Sequence, residues 1–424
     1  MKILYVSFYF PPFNTMGGIR AAGQVKELEN AGHDVKVISA NYQGNFGSLN
    51  LGPYDVKLYE VSKKSNIDIE INSKNKTFLT TLKQIVLNNK NIPFRDIIFY
   101  LHDIITLNSG IQKLWQKMVI NDVKTYKDWQ PDVIFASHSP LSSILIGKHL
   151  SKMLEIPFFV EIRDSWSFNP IISFKKEENI FSKLLRKYEM KILEGCSGII
   201  SVTSFIERYY SRHFPHIPNE KIYGGYDKHD LSLGNAKINK LGKPFTITHA
   251  GSLLKGRKSP EILFQAISSN KLLKDNFSIN FFGNDQSEIA NLAKLYSLED
   301  NVSCCGTIDY LDCKKTEACS DILLILMQNL KNEKYAVTGK IFDLIKLKKP
   351  IMMIYGEDSE AENILQKSGL GKSFTSKEGI VEYLLRFIKN QDMVINANDT
   401  FIKELSRESQ IKSMIKFITP STLN

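Results

Sequence analysis

Short apolar runs alternate with helix-length amphipathic segments along almost the whole chain, and this rhythm restricts the fold more than any other feature. A strand that is apolar at successive positions is buried on both faces, and strands that alternate with helices build parallel βα units. In the first half the strand-like runs are Lys2–Ser7, Asp34–Ser39, Asp132–Ser137, Pro157–Arg163 and Ser197–Thr203. A helix over Ile19–Asn30 is closed by Gly32 just beyond its end. The rhythm stops in a Gly- and Asp-bearing loop near Lys221–Asp230. It resumes with Phe245–His249, Phe277–Phe282, Asn301–Cys304, Asp321–Met327 and Pro350–Tyr355, and a charged helix runs from about Asn396 to the end.

The expected architecture is therefore α/β, with two doubly wound, Rossmann-like domains facing across a cleft. Residues 1–228 form the first, 229–404 the second, and a helix at about 405–424 packs back on the first. At 424 residues, 43% hydrophobic and 24% charged, the chain is long enough for two cores. In doubly wound domains ligands bind outside the carboxyl ends of the strands. Candidate site residues are thus sought on loops that follow strands.

Charge and cysteine usage narrow the class. Lys and Arg total 55 against 45 Asp and Glu, a net charge of +10, which favours an anionic partner such as a nucleotide, a polyphosphate or an anionic lipid surface. The five cysteines, Cys196, Cys304, Cys305, Cys313 and Cys319, show no CxxC pair and no His at zinc spacing, so they read as reduced cytosolic thiols. The opening Met1–Ser7 reads as a buried strand and not as a secretory signal, because Pro11-Pro12 follows with no small-residue cleavage site. No window reaches the roughly 18 apolar residues of a membrane span. Any membrane contact is then expected to be peripheral.

Residues 71–130 break the rhythm. They are rich in Leu, Ile, Phe and Tyr and carry nine Lys or Arg against four Asp, and they read as a helical insertion. Its apolar residues Phe78, Leu79, Phe94, Phe99, Tyr100 and Trp115, with Lys83, Lys90 and Arg95, could rest on an anionic headgroup region. The alternative is an ordinary insertion packed on its own domain.

Three loops carry phosphate-compatible chemistry. The first, Pro11 to Arg20, places Gly17 and Gly18 at a helix N-terminus, where backbone N–H groups approach an anion. It reads equally as a flexible turn with Arg20 as a surface cation. The second, Gly251-Ser252-Leu253-Leu254-Lys255-Gly256-Arg257-Lys258, follows the first strand of the second domain. It suits a diphosphate with Arg257 as clamp, or it is a solvated basic turn. The third is Thr338-Gly339-Lys340-Ile341-Phe342-Asp343, with Thr338 able to cap a helix. Lys340 in its first turn opposes the helix dipole and suggests an anionic ligand, or it pairs with Asp343 on the surface.

These residues, in this order, resemble the retaining glycosyltransferases of the GT-B fold, within the family-four group that builds bacterial capsules and O-antigens. The likeness rests on Lys2–Gly18; on Glu161-Ile162-Arg163-Asp164-Ser165-Trp166, similar to an RD-W segment; and on Gly225-Tyr226-Asp227, similar to an NGYD interdomain turn. It continues with Ala250-Gly251-Ser252 and Arg257, and with Thr338–Asp343 followed by Lys349-Pro350-Ile351, similar to a TGK-FE donor motif. The chain departs from the pattern at the paired glutamates: Asp343 holds the second position, Tyr335 the first, and Glu333 is nearby. Gly224 stands where Asn is usual, and Lys348 where Gly is usual.

The resemblance implies a metal-independent transferase, hexosyl or N-acetylhexosaminyl, using a nucleotide-diphosphate sugar, UDP-linked, as substrate with no cofactor. Arg257, Lys340, Asp164 and His138 are its catalytic candidates. Gly17, Gly18, Arg20, Gly251, Ser252, Arg257, Thr338, Gly339, Lys340 and Asp343 are its donor-binding candidates. Arg163, Asp164 and His138 lie on the acceptor side. The acceptor that the resemblance implies is a glycan or a polyprenyl-diphosphate-linked acceptor, with the protein expected in the cytoplasm or peripherally on the inner face of the plasma membrane, and no nucleic-acid partner is expected. His249 reads as core, and Cys304, Cys305, Phe281 and Phe282 as core and base-pocket wall. A nucleotide-sugar 2-epimerase of the same fold and a non-catalytic nucleotide-sugar-binding module are the alternatives.

Overall fold

The computed structural model describes residues 1–12, 15–41, 56–60, 110–164, 180–228, 244–251, 253, 259–284, 286–328, 337–389 and 395–419. The chain divides into two compact units, Met1–Tyr223 with Ile411–Asn424, and Gly224–Gln410.

In the first unit seven strands form one parallel sheet: β1 (Lys2–Val6), β2 (Asp34–Asn41), β3 (Val56–Glu60), β4 (Val133–Ser137), β5 (Phe158–Ile162), β6 (Gly198–Ser201) and β7 (Asn219–Lys221). Their order is β3-β2-β1-β4-β5-β6-β7, so the direction of winding reverses between β1 and β4. The described helices between them are α1 (Met16–Asn30), α2 (Ile111–Asn121), α3 (Val123–Trp129), α4 (Leu141–Leu154), α5 (Ile180–Leu193) and α6 (Ser204–His213).

Alternate residues of the strands feed two cores. Leu4, Val6, Ile134, Ala136, Phe158 and Val160 face one, together with α2, α4 and α6. Ile3, Tyr5, Val133, Phe135 and Phe159 face the other, with α1 and the chain's last helix. Burial on both faces is what a parallel strand with continuous apolar sequence requires.

In the second unit six parallel strands are ordered β10-β9-β8-β11-β12-β13: β8 (Phe245–Ala250), β9 (Phe277–Phe282), β10 (Val302–Cys304), β11 (Ile322–Leu326), β12 (Ile351–Ile354) and β13 (Gly371–Phe374). Here the reversal lies between β8 and β11. The described helices are α7 (Glu261–Ser268), α8 (Lys271–Asn276), α9 (Ser287–Leu295), α10 (Tyr310–Cys319), α11 (Lys340–Ile345), α12 (Glu360–Ser368), α13 (Lys377–Lys389) and α14 (Asp399–Glu404). The last helix, α15 (Arg407–Ile418), begins in the second unit and ends in the first. There Ile411, Met414 and Ile418 join the α1 face of the sheet, and the Phe417 ring meets Phe159 edge-on at 5.6 Å.

The Gly225-Tyr226-Asp227 turn is fastened within the second unit. Gly225 has φ of +62°, and a Cβ there would stand 2.7 Å from the backbone nitrogen of Arg407. Arg407 donates to the backbone oxygens of Gly224 and Gly225 and pairs with Asp227 at 3.6 Å. Tyr226 bridges to Ser406, and its hydroxyl donates to the Ile402 oxygen.

Two expectations change. The insertion read at 71–130 is described only from residue 110, where α2 and α3 are ordinary packed helices. Trp115 is fully buried against Phe8, rings 5.3 Å apart, and is therefore a core residue and not a membrane anchor. Phe78, Leu79, Phe94, Phe99, Tyr100, Lys83, Lys90 and Arg95 lie outside the described residues. Among the described residues no helix is long and apolar enough to cross a membrane.

Candidate functional site

In the second unit the sequence candidates converge where the winding reverses. β8 ends at Ala250, and Gly251 follows with φ of +145°. The ammonium of Lys340, the first residue of α11, donates to the Ala250 oxygen at 2.6 Å. A Cβ on Gly251 would lie 1.3 Å from that nitrogen. Gly251 is therefore required twice, by its backbone angle and by the lysine that occupies its side-chain space.

The neighbouring strand end repeats the device. Gly283 after β9 has φ of +137°, and its Cβ would fall 2.3 Å from the Gly251 oxygen. Backbone bonds from Gly251 to Phe282 and from Gly283 to Gly306 tie the ends of β8, β9 and β10 together. Gln286 reinforces the junction, donating to the Phe281 oxygen and accepting from the Gly306 nitrogen.

Asp343 lies one turn along α11 from Lys340 but does not pair with it. Its Oδ2 accepts from the Lys314 ammonium at 3.2 Å, and Lys314 also holds Glu317 at 3.0 Å. Burial pushes the Glu317 carboxyl above its ordinary range, against the opposing pull of Lys314. Burial likewise raises the Cys313 thiol to about 11, so it is a neutral neighbour of this charge cluster.

Thr338 does not cap α11 with its hydroxyl. The cap position is Gly339, and Thr338 instead offers its backbone oxygen to the Ile341 nitrogen. Arg257 and Ser252 lie outside the described residues, as do Glu333 and Tyr335. His249 is buried, with Nδ1 3.0 Å from the Leu324 oxygen, as a core residue. Phe281 is buried too, whereas Cys304 and Cys305 are exposed and form no part of a core.

The first unit has its own constellation at the β1/β4 reversal. Gly17 and Gly18 belong to the first turn of α1 and not to a preceding loop, because Thr15 caps the helix by accepting from the Gly18 nitrogen at 3.0 Å. One of the two amides read as anion ligands is thus already used. Arg163, just past β5, donates to the backbone oxygens of His138 and Ser139, and its guanidinium would stand 2.9 Å from a Cβ on Gly17. Asp164 beside it is exposed.

Arg20 is not a surface cation. It reaches Glu161 on β5 at 2.6 Å, and that carboxylate is fully buried. Gln24 donates to the same oxygen, and Ser137 donates to the other. Ser137 and Glu161 are register partners on adjacent parallel strands, so their side chains share a face. Burial opposes ionisation of Glu161, yet Arg20, Arg163 and the Ser137 and Gln24 hydrogen bonds together hold its carboxyl below the usual value. Burial, and next Arg163, push His138 down to about 3, with Glu161 opposing. Its imidazole is neutral at physiological pH and cannot serve as a cation.

Glu161, Lys314, Glu317 and Gly283 are not among the candidate site residues that the sequence offers. A glutamate inside Phe158-Phe159-Val160-Glu161-Ile162 does signal a buried acceptor, and Gly283 directly after an apolar run signals a tight strand exit. Lys314 has no such mark, since it sits in a charged stretch without apolar periodicity.

No protein-family model matches the sequence, and no curated protein matches it either. Solved structures do. HepE from Anabaena, in complex with UDP and glucose, superposes with a TM-score of 0.60 at 13% identity over 98% of both chains. A glycosyltransferase from Rickettsia africae gives 0.60 at 15% identity, covering 98% of this chain and 97% of that one. The fold is GT-B. A protein from Listeria monocytogenes assigned to the UDP-N-acetylglucosamine 2-epimerases shares it too, with a TM-score of 0.53 at 11% identity over 98% and 95% of the chains. At these identities the likeness concerns the GT-B fold alone, and function must be argued from the site.

Proposed function

We propose that this chain is a glycosyltransferase that moves a sugar from a nucleotide-diphosphate sugar to a glycan or lipid-linked acceptor in bacterial surface polysaccharide synthesis. The observation that carries this reading is the grouping of Lys340, the Ala250 oxygen and side-chain-free Gly251 at the β8/β11 reversal, with Asp343 one turn away. A fixed ammonium stabilises the charge that develops on a departing diphosphate, and it acts without reorganising. A carboxylate nearby accepts hydrogen bonds from a ribose diol. HepE, whose fold the chain shares, was solved with UDP and with UDP-glucose.

In this reading the second unit holds the donor through Lys340, Asp343, the Gly251 junction and Arg257, with no metal required. The first unit meets the acceptor through Arg163, Asp164, the His138 loop and the Gly17 turn. Transfer proceeds with retention: the leaving phosphate takes the acceptor proton, and neutral His138 contributes contacts and no proton. Arg20 serves Glu161, and thereby the wall beneath this surface. An anionic membrane surface remains a proposed partner only through residues 71–109.

The Listeria neighbour gives the epimerase reading a footing as well. Mass spectrometry after incubation with a panel of nucleotide sugars, with and without a lipid-diphosphate acceptor, separates the two. Transfer makes the acceptor heavier by one sugar residue and frees nucleoside diphosphate. Epimerisation leaves every mass unchanged, and that outcome with a consumed donor stereoisomer would replace the transferase reading.

A further inference from the structure

Lys314 lies on α10, and its side chain is only 8% exposed. Its ammonium reaches two carboxylates, Glu317 on its own helix and Asp343 on α11. The two contacts are not equivalent. Glu317 is 5% exposed and one turn away, so it already balances the buried charge, whereas Asp343 comes from a different helix and remains 16% exposed. A buried ion pair adds little stability over apolar residues of the same volume. The cross-helix contact needs another explanation, and the position of Asp343 supplies it.

An unrestrained aspartate on a short helix has two soft side-chain torsions, and ordering it on binding costs affinity. With Oδ2 held at 3.2 Å by an ammonium, one carboxylate oxygen is placed before any ligand arrives, which restricts where the other can point. Among the described residues, Oδ1 takes no hydrogen bond. We propose that Lys314 is a positioning residue that orients Asp343 so that its remaining oxygen accepts from the ribose hydroxyls of a nucleoside diphosphate, which makes Lys314 a determinant of ribose recognition. This rests on the donor site described above and adds to it a residue that never touches the ligand.

The test measures selectivity, which general damage to the fold does not mimic. Calorimetry on the full-length protein first identifies the tightest ligand among UDP, GDP and ADP, and then compares it with its 2′,3′-dideoxy form. The wild-type protein should prefer the ribose form about tenfold or more, the worth of one hydrogen bond to a charged group. Lys314→Met strands Glu317 and risks misfolding, so the decisive variant is Lys314→Met with Glu317→Met, which replaces the whole buried pair by apolar volume. It should melt within a few degrees of wild type and still bind the nucleotide. Its ribose preference should fall to about twofold or less. An undiminished preference in the double variant overturns the role of Lys314 while leaving the donor site intact. Wild-type binding with no ribose preference overturns it in the same way. Absence of binding to any nucleoside diphosphate overturns both the role and the donor site.

Discussion

The Lys340 ammonium occupies the space that a side chain on Gly251 would need: a Cβ there would fall 1.3 Å from Nζ, while Nζ donates to the preceding carbonyl, Ala250, at 2.6 Å. The glycine directly follows β8 and the lysine opens α11, and the two occupy one space. The pair fixes a cation at the carboxyl end of the second sheet.

Replacing Gly251 by Ala should therefore act as a displacement of Lys340. The methyl group collides with Nζ, and φ of +145° is unfavourable for any L side chain, costing on the order of 1–3 kcal/mol. Turnover should fall about 100-fold, and the urea midpoint should drop modestly. Full activity in a folded Gly251→Ala protein would show that the lysine can leave its seat without consequence.

His138 should make the first unit acid-sensitive. Its folded value is about 3, against roughly 6.5 in an unfolded chain, so between those limits the unfolded state binds a proton that the folded state refuses. Stability therefore falls as pH drops from 6.5 towards 3, by about 2 to 3 kcal/mol at pH 4.5 from this group. Melting temperatures of wild type and His138→Asn, followed from pH 7 to pH 4, should converge with acidification. Parallel curves would mean that His138 titrates normally.

Trp115 should behave as core. Trp115→Ala should destabilise the protein by about 3–5 kcal/mol in urea denaturation, through the cavity it leaves beside Phe8. Trp115→Phe should cost far less, because the indole nitrogen is buried with no hydrogen-bond partner among the described residues. Neither change should alter sedimentation with anionic vesicles in protein that remains folded.

The central strands were plain in the sequence because each is buried on both faces, as Ile322–Leu326 and Ile351–Ile354 illustrate. The strands it did not reveal are all sheet edges. β7 is Asn219-Glu220-Lys221 and β13 is Gly371-Lys372-Ser373-Phe374, each with a single neighbour and little apolar character. At the site, Lys340 and Gly251 were legible as separate motifs, but their contact joins positions 89 residues apart. The pairing of Asp343 with Lys314 and of Arg20 with Glu161 was likewise hidden. Nearest-neighbour spacing along a helix suggests Lys340 for the first, and only the packing of α11 on α10 and of α1 on β5 selects the true partners.

The most direct test is the steady-state release of nucleoside diphosphate from a nucleotide sugar in the presence of acceptor, compared between wild type and Lys340→Ala. Removing one preorganised charge from a leaving group costs about two to three orders of magnitude. A variant that folds normally and turns over at least about 100-fold more slowly is the expected result, whereas near-normal release would contradict the assignment of this lysine to the donor diphosphate.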